Sequence, residues 1–258
     1  MTTVKDILEY LQGLSPAYMK EEWDNVGLLC GSTNALVTKV LVALDPFEYV
    51  CREAAEEGAQ LLVTHHPLIF TPLQSITDET AIGRSIMTLN KHGISAYCAH
   101  TNLDCAPGGV NDTLAEILGL TDVQIIDPVG ENHGLLRCGK IAETSLDAFL
   151  HPVKSKLGTP TLRFVRGSKP VSKVAVGGGA CAGEMHRAVA AGCDTFVTSD
   201  VKYNQFWDAR DMGLNLIDAG HFYTENPVVS VLAAAIAQNF PQVEVVISKT
   251  HADCMEFA

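Results

Sequence analysis

Basic charge is scarce in this chain. Eighteen lysines and arginines stand against 30 aspartates and glutamates, for a net charge of −12. A general DNA- or RNA-binding surface needs a basic footprint, so that class is excluded, while a nucleotide held in a local pocket is not. Long apolar runs are missing too, since no stretch approaches the roughly 20 residues that span a bilayer. The N-terminal MTTVKDILEYLQGL reads as an amphipathic helix and not as a signal peptide, because Val4, Ile7, Leu8 and Leu11 fall at helical spacing behind Thr3 as N-cap. The eight cysteines, at 30, 51, 98, 105, 138, 181, 193 and 254, contain no C-x-x-C pair. Scattered thiols of this kind read as reduced core or loop residues of a cytoplasmic protein. With 47% hydrophobic and 19% charged residues the composition is globular. A length of 258 residues allows one large domain or two of ordinary size.

Strands and helices alternate along the sequence. KVLVALD (39–45) reads as a strand, and Asp45-Pro46-x-Glu48 as the cap of a helix that stops at Gly58. AQLLVTHH is the next strand, followed by a loop to about residue 78 and a helix to Gly93. ISAYCAH is a third strand and NDTLAEILGL a further helix. Short apolar strands between helices imply a mostly parallel sheet covered on both faces. The second half repeats the plan. Lys39-Val40-x-Val42, Gly58 and Val63-Thr64 match Lys173-Val174-x-Val176, Gly192 and Val197-Thr198 at an offset of 134, and Gly93 matches Gly213 at 120. The change of offset implies a longer loop after His66 than after Asp200. The expected architecture is α/β: two similar, duplicated α/β domains with mostly parallel mixed sheets and a metal site in the cleft between them. The first half covers 1–126, continued by the C-terminal segment if the halves interlock. The second covers 127–258, with 127–170 as a connecting segment in which GTPTLRFVRG is a candidate strand.

The stretch LLVTHHPLIF (61–70) carries the chemistry. Side chains alternate along a strand, so His65 and His66 tend to point apart unless the strand has ended. That placement suits two metal ions, one histidine each. Pro67 keeps His66 extended. His221 and Glu225 are four apart before the helical NPVVSVLAAAIA, which puts them on one face of a turn. Asp104 follows the strand ISAYCA, at the end where α/β sheets place ligands. His65, His66, Asp104, His221 and Glu225 shared over two ions leave positions open for water and substrate, as catalytic sites do. Each has a bland alternative: buried histidines that satisfy backbone groups, a loop cap for Asp104, a surface hydrogen-bonded pair for His221 and Glu225.

EEWDNVGLLCG (21–31), LLVTHHPLIF, AHTNLD (99–104), VTSD (197–200) and DAGHFYTE (218–225) together resemble the signatures of the Nif-three-like family, whose bacterial members are labelled GTP cyclohydrolase 1 type 2 homologues. The resemblance implies the same five metal ligands, a dinuclear centre between two similar α/β domains, and a toroidal homohexamer with its sites facing the interior. The short 127–170 segment leaves no room for the extra domain that some members insert. One departure concerns TSDVKYNQ, where Ser199 and Asn204 replace the glycine and histidine of many members. A catalytic role at position 204 is therefore in doubt.

Other polar residues are secondary candidates. His100 lies near Asp104 in sequence and could orient a ligand or water, or act as the spare general base. Asp24 and Asn25 either line the site or cap the turn into Gly27, with the structural role preferred. VGGGACAGE (176–184) is a near miss of a phosphate-cradling fingerprint, with a tight βα turn as the plainer reading. Lys202 is a candidate phosphate contact or a solvated lysine. The functional expectation is a hydrolase with two divalent ions per chain, drawn from iron, manganese, zinc, cobalt or nickel because the ligands are nitrogen and oxygen without cysteine. Its small-molecule substrate would be GTP or a related nucleotide, or a phosphoester. The alternative is a non-catalytic metal-binding or regulatory scaffold.

Overall fold

The computed structural model describes residues 1–129 and 132–257. In chain order the elements are α1 (Val4–Leu14), β1 (Gly27–Cys30), β2 (Lys39–Ala43), α2 (Glu48–Glu56), β3 (Leu61–Thr64), α3 (Ala81–Lys91), β4 (Ser95–Cys98), α4 (Thr101–Cys105), α5 (Val110–Leu118), β5 (Thr121–Ile126), β6 (Leu136–Thr144) and α6 (Leu146–Leu157). There follow β7 (Arg163–Val165), β8 (Val171–Val176), α7 (Met185–Ala190), β9 (Thr195–Thr198), α8 (Tyr203–Asp211), β10 (Asn215–Asp218), α9 (His221–Glu225), α10 (Pro227–Asn239) and β11 (Glu244–Ile247). Two compact units result. The first comprises Met1–Leu103 and Val228–Asp253, and the second Asp104–Pro227 with the last residues from Cys254. The halves expected from the sequence meet at residue 126, whereas these units divide at Leu103 and Pro227, and the C-terminal segment returns to the first unit. No helix of the described residues is long and apolar enough to cross a membrane.

The first unit holds a five-stranded sheet in the order β1-β4-β3-β2-β11, parallel except for β1. Its three inner strands are short and buried on both faces, as an apolar run such as Leu61-Leu62-Val63 requires. Leu41 and Leu62 pack under α2 and α3 against Val50, Ile86 and Leu89. α1 starts as expected: Thr3 accepts from Asp6 N at 3.3 Å while Asp6 accepts from Thr3 N at 2.7 Å. The expected cap at Asp45 does not form. α2 begins at Glu48 after Phe47 and has no side-chain cap, because the Asp45 carboxylate is taken by histidines.

The second unit holds a six-stranded mixed sheet, β5-β6-β8-β9-β10-β7. Only its centre, β8-β9-β10, is parallel; the flanks are antiparallel. The parallel centres of the two sheets share a register. Val40 opposite Leu61 recurs as Val174 opposite Thr195, and Leu61 opposite Ser95 as Thr195 opposite Asn215. The loop after β3 runs to α3 at Ala81, while that after β9 reaches α8 at Tyr203, the length difference read from the offsets. Alternate residues cover both faces: Val174, Val176, Val197 and Ile217 pack with Leu114 and Phe149, and Ala175, Phe196 and Leu216 with Met185 and Ala188.

The segment 127–170 is more than a connection. It contains β6, which pairs with both β5 and β8, and α6. Arg137, Gly139 and Lys140 mask the strand pattern of β6, and Pro152 interrupts the helical pattern of α6. Arg137 is 1% exposed. It donates to both oxygens of Asp112, at 2.6 and 3.2 Å, and to the carbonyls of Gly134, Cys105 and Ala106. Removing one partner of such a pair leaves polar groups buried without compensation, a loss of about 3 kcal/mol. Arg137→Ala is therefore expected to lower the urea midpoint of the second unit by that equivalent; a midpoint within error of wild type would contradict this packing role.

Candidate metal centre

His65 and His66 lie just past the end of β3, where the sheet still fixes their backbone. His66 N donates to Leu44 O at 2.9 Å, and Thr64 Oγ1 donates to His66 O at 2.7 Å. Because the strand has ended, the two rings do not point to opposite faces. Their centroids lie 5.0 Å apart. His100, past the end of β4, joins them at 5.2 Å from His65 and 5.5 Å from His66. One nitrogen from each of the three rings falls within 4.8 Å of the others. Within the first unit this is a compact three-histidine cluster, with His65 fully buried.

Each ring commits Nδ1 to an acceptor. His65 Nδ1 lies 2.8 Å from Ala99 O, His66 Nδ1 2.6 Å from Asp45 Oδ1 and His100 Nδ1 2.8 Å from Asp24 Oδ1. Carbonyls and carboxylates only accept, so Nδ1 carries the proton and a neutral ring keeps its lone pair on Nε2. This is the arrangement in which metal-ligating histidines are usually held. Burial raises the Asp45 pKa, but contacts from His251 and His66 outweigh it and hold the carboxyl well below the usual range.

Asp24, within the WDN turn, also accepts from Thr101 N at 3.0 Å and from Thr101 Oγ1. Asn25 donates to Ile69 O at 2.6 Å. Asn25 is structural, whereas Asp24 both ties the turn to Thr101 and orients His100. Trp23 and Phe70 pack against that ring, with centroids 6.1 and 6.2 Å away.

In the second unit, α9 carries His221 and Glu225 on one turn, with Nε2 and Oε2 2.9 Å apart. His221 Nδ1 is 2.8 Å from Asp200 Oδ2. Asp200 sits at φ +52°, in the left-handed region that aspartate tolerates better than most residues, and turns its carboxylate to the ring from the end of β9. Burial pushes the His221 pKa down, but Asp200 and Glu225 outweigh it and raise it to about 11. The 2.9 Å contact between His221 Nε2 and Glu225 Oε2 joins two groups whose lone pairs a divalent cation would compete for. Carboxylate oxygens of Asp104, on α4, and Glu225 lie within 4.8 Å of one another, and both residues are buried. A side chain at Gly179 would collide with Glu225 Oε1, so the glycine lets the loop approach that carboxylate.

The donor set fits hard or borderline divalent ions. Cys181 does not add to it: burial, then Asp104 and Glu225, push its thiol well above the usual range, so it stays protonated. The glycine loop of 176–184 is no phosphate cradle. Its N–H groups are used internally, Gly177 on Val197 O, Gly178 on Asn111 Oδ1 and Gly179 on Thr224 Oγ1, at 3.0, 2.7 and 3.0 Å. Lys202 is exposed, its N–H bound to Gln205 Oε1, and Asn204 is exposed on α8. The sequence reading passed over Asp45 as a cap and gave Asp200 no role. The missed signal was an acid at a strand's C-terminal end.

Asp24 gives this geometry a measurable consequence. Burial raises its pKa, but hydrogen bonds from His100 and Thr101 outweigh that and bring it down to about 2. A carboxyl depressed from about 3.9 contributes stability that is fully present above pH 4 and lost as pH falls through 2. Unfolding free energies of wild type and Asp24→Asn are expected to differ by about 2 kcal/mol more at pH 6 than at pH 2; a pH-independent difference would contradict this.

Residues 2–254 match the family described as Duf34/NIF3 (NGG1p interacting factor 3). A Clostridium perfringens protein named GTP cyclohydrolase 1 type 2 homolog is 38% identical, over 98% of this chain and 99% of its own. A Bacillus cereus protein related to NIF3 superposes with a TM-score of 0.95 at 26% identity, covering 100% of this chain and 99% of that one. A Staphylococcus aureus hypothetical protein does so at 0.90 and 30% identity, over 99% of each chain. The chain, with its two mixed sheets and its histidine and carboxylate clusters, belongs to the Duf34/NIF3 family.

Proposed function

We propose that the protein is a metal-dependent hydrolase in which His65, His66, Asp104, His221 and Glu225 hold two divalent ions, with Glu225 shared. The observation that supports this most is the recurrence of one device. His65, His66 and His221 each bind an acceptor through Nδ1, which makes Nε2 the coordinating atom, at His221 in place of its contact with Glu225. Nitrogen and oxygen donors without thiolate suit iron, manganese, zinc, cobalt or nickel. When bound, two such ions supply hydroxide near neutral pH and polarise an oxygen or nitrogen of the substrate.

The chain's own residues supply the rest. Asp45 and Asp200 hold the rings of His66 and His221 in one orientation. His100, oriented by Asp24, takes a proton at Nε2 during attack and returns it to the leaving group, while Asp24 stabilises the imidazolium. The name that relatives carry favours a purine nucleotide as substrate, with a C–N bond of the ring as the bond cleaved; a phosphoester is the competing choice. The shared strand register supports a duplication of the two halves. We take the assembly to be the hexameric ring implied by the family resemblance, in the cytoplasm.

Metal analysis of protein purified without chelator is expected to give about two ions per chain, falling sharply in Glu225→Ala. No metal after supply of iron, manganese and zinc would overturn the reading. His100→Ala is expected to keep the metal and to lose about 10²- to 10⁴-fold in turnover of the nucleotide hydrolysed by wild type. Two ions with no turnover of any nucleotide or phosphoester would favour the regulatory scaffold instead.

A further inference from the structure

We propose that His251, in the segment after β11, is a positioning residue that fixes the metal-binding orientation of His66 through Asp45. The inference rests on the reading of His66 as a metal ligand. β11 pairs in parallel with β2, Ile247 opposite Val42, and so carries the chain towards the end of β2 beyond which Asp45 lies. Ser248 N continues the ladder to Val42 O at 2.9 Å. The segment is then anchored on α2. Ser248 Oγ, Lys249 N and Thr250 Oγ1 all donate to the Glu53 carboxylate, the last two at 2.7 Å.

Past that anchor the chain turns, with His251 N donating to Ser248 Oγ at 3.1 Å. The His251 side chain is 4% exposed, with Nε2 2.9 Å from Asp45 Oδ2. Its Nδ1 is 2.9 Å from the Tyr49 hydroxyl, and the Phe47 ring closes on it at 6.0 Å. Asp45 therefore meets one imidazole at each oxygen, His66 at Oδ1 and His251 at Oδ2.

The arrangement has a direct chemical meaning. A carboxylate held at one oxygen can rotate about its Cβ–Cγ bond and tilt its partner. Held at both, it keeps a fixed lone pair aimed at His66 Nδ1. That selects the Nδ1–H tautomer and the ring angle at which Nε2 meets a metal. Because Glu53 already anchors the segment, His251 is not needed to keep the chain in place.

The test is a zinc titration of the apoprotein against a chromophoric chelator, with no assay of activity. Wild type is expected to bind two zinc ions. His251→Ala is expected to weaken one of them by about 10- to 100-fold, in an apoprotein that still unfolds in one cooperative transition. His251→Gln, which keeps an N–H near the position of Nε2, should recover most of the loss. Asp45→Asn should reproduce the loss, and His251→Ala added to it should weaken binding no further. Wild-type affinity for both ions in His251→Ala would overturn the proposal, as would full additivity with Asp45→Asn. Wild type that binds no zinc would overturn the metal reading itself, and this proposal with it.

Discussion

An imidazole has two nitrogens, and the protein ties Nδ1 at three histidines of the first unit and at one of the second. The Nδ1 contacts of His65 to Ala99 O, His66 to Asp45, His100 to Asp24 and His221 to Asp200 are the constraint on which the rest depends. A histidine tied in this way has a defined tautomer and a defined ring plane. Three of the four acceptors are carboxylates at 2.6 to 2.8 Å, and for the buried Asp24 the partner ring helps to offset the cost of burying the acid. The ring orientations are thus fixed by the chain's own contacts.

Within each unit the sheet explains why each acid reaches its own histidine. In an α/β unit every parallel strand delivers its next residues to the same edge. Asp45 follows β2, His65 and His66 follow β3, His100 follows β4, and Asp200 follows β9. The strands are buried on both faces and cannot slide without turning a core residue outward, so their apolar register fixes the polar ends. Local chemistry then refines the aim. Pro67 prevents a helix after His66, Gly179 admits Glu225, and Asp200 accepts a left-handed backbone to face His221.

Much of this was legible in the sequence, and the reasons differ by region. The β2–α2–β3 and β8–α7–β9 stretches carry apolar strand cores, such as 40–43 and 174–176, and clear glycine stops, so their type and order could be read directly. His-x-x-x-Glu on one helical turn follows from spacing alone. The segment 121–157 was opaque because β6 holds arginine, glycine and lysine and α6 holds a proline, all of which break the local pattern while tertiary contacts supply the stability. Asp45 was misread because Asp-Pro before a helix is a good cap signal; only the fold shows that histidines 21 and 206 residues on compete for the same carboxylate. Long-range pairing of that kind has no signature in a local window.

The most direct test of the account is anomalous diffraction from crystals grown with zinc. The account predicts two anomalous peaks per chain, with the Nε2 atoms of His65, His66 and His221 about 2.0–2.1 Å from one or the other and Glu225 touching both. The Nδ1 contacts to Ala99, Asp45 and Asp200 should be unchanged. A single peak held by His65, His66 and His100 alone, or no peak at these residues, would contradict it.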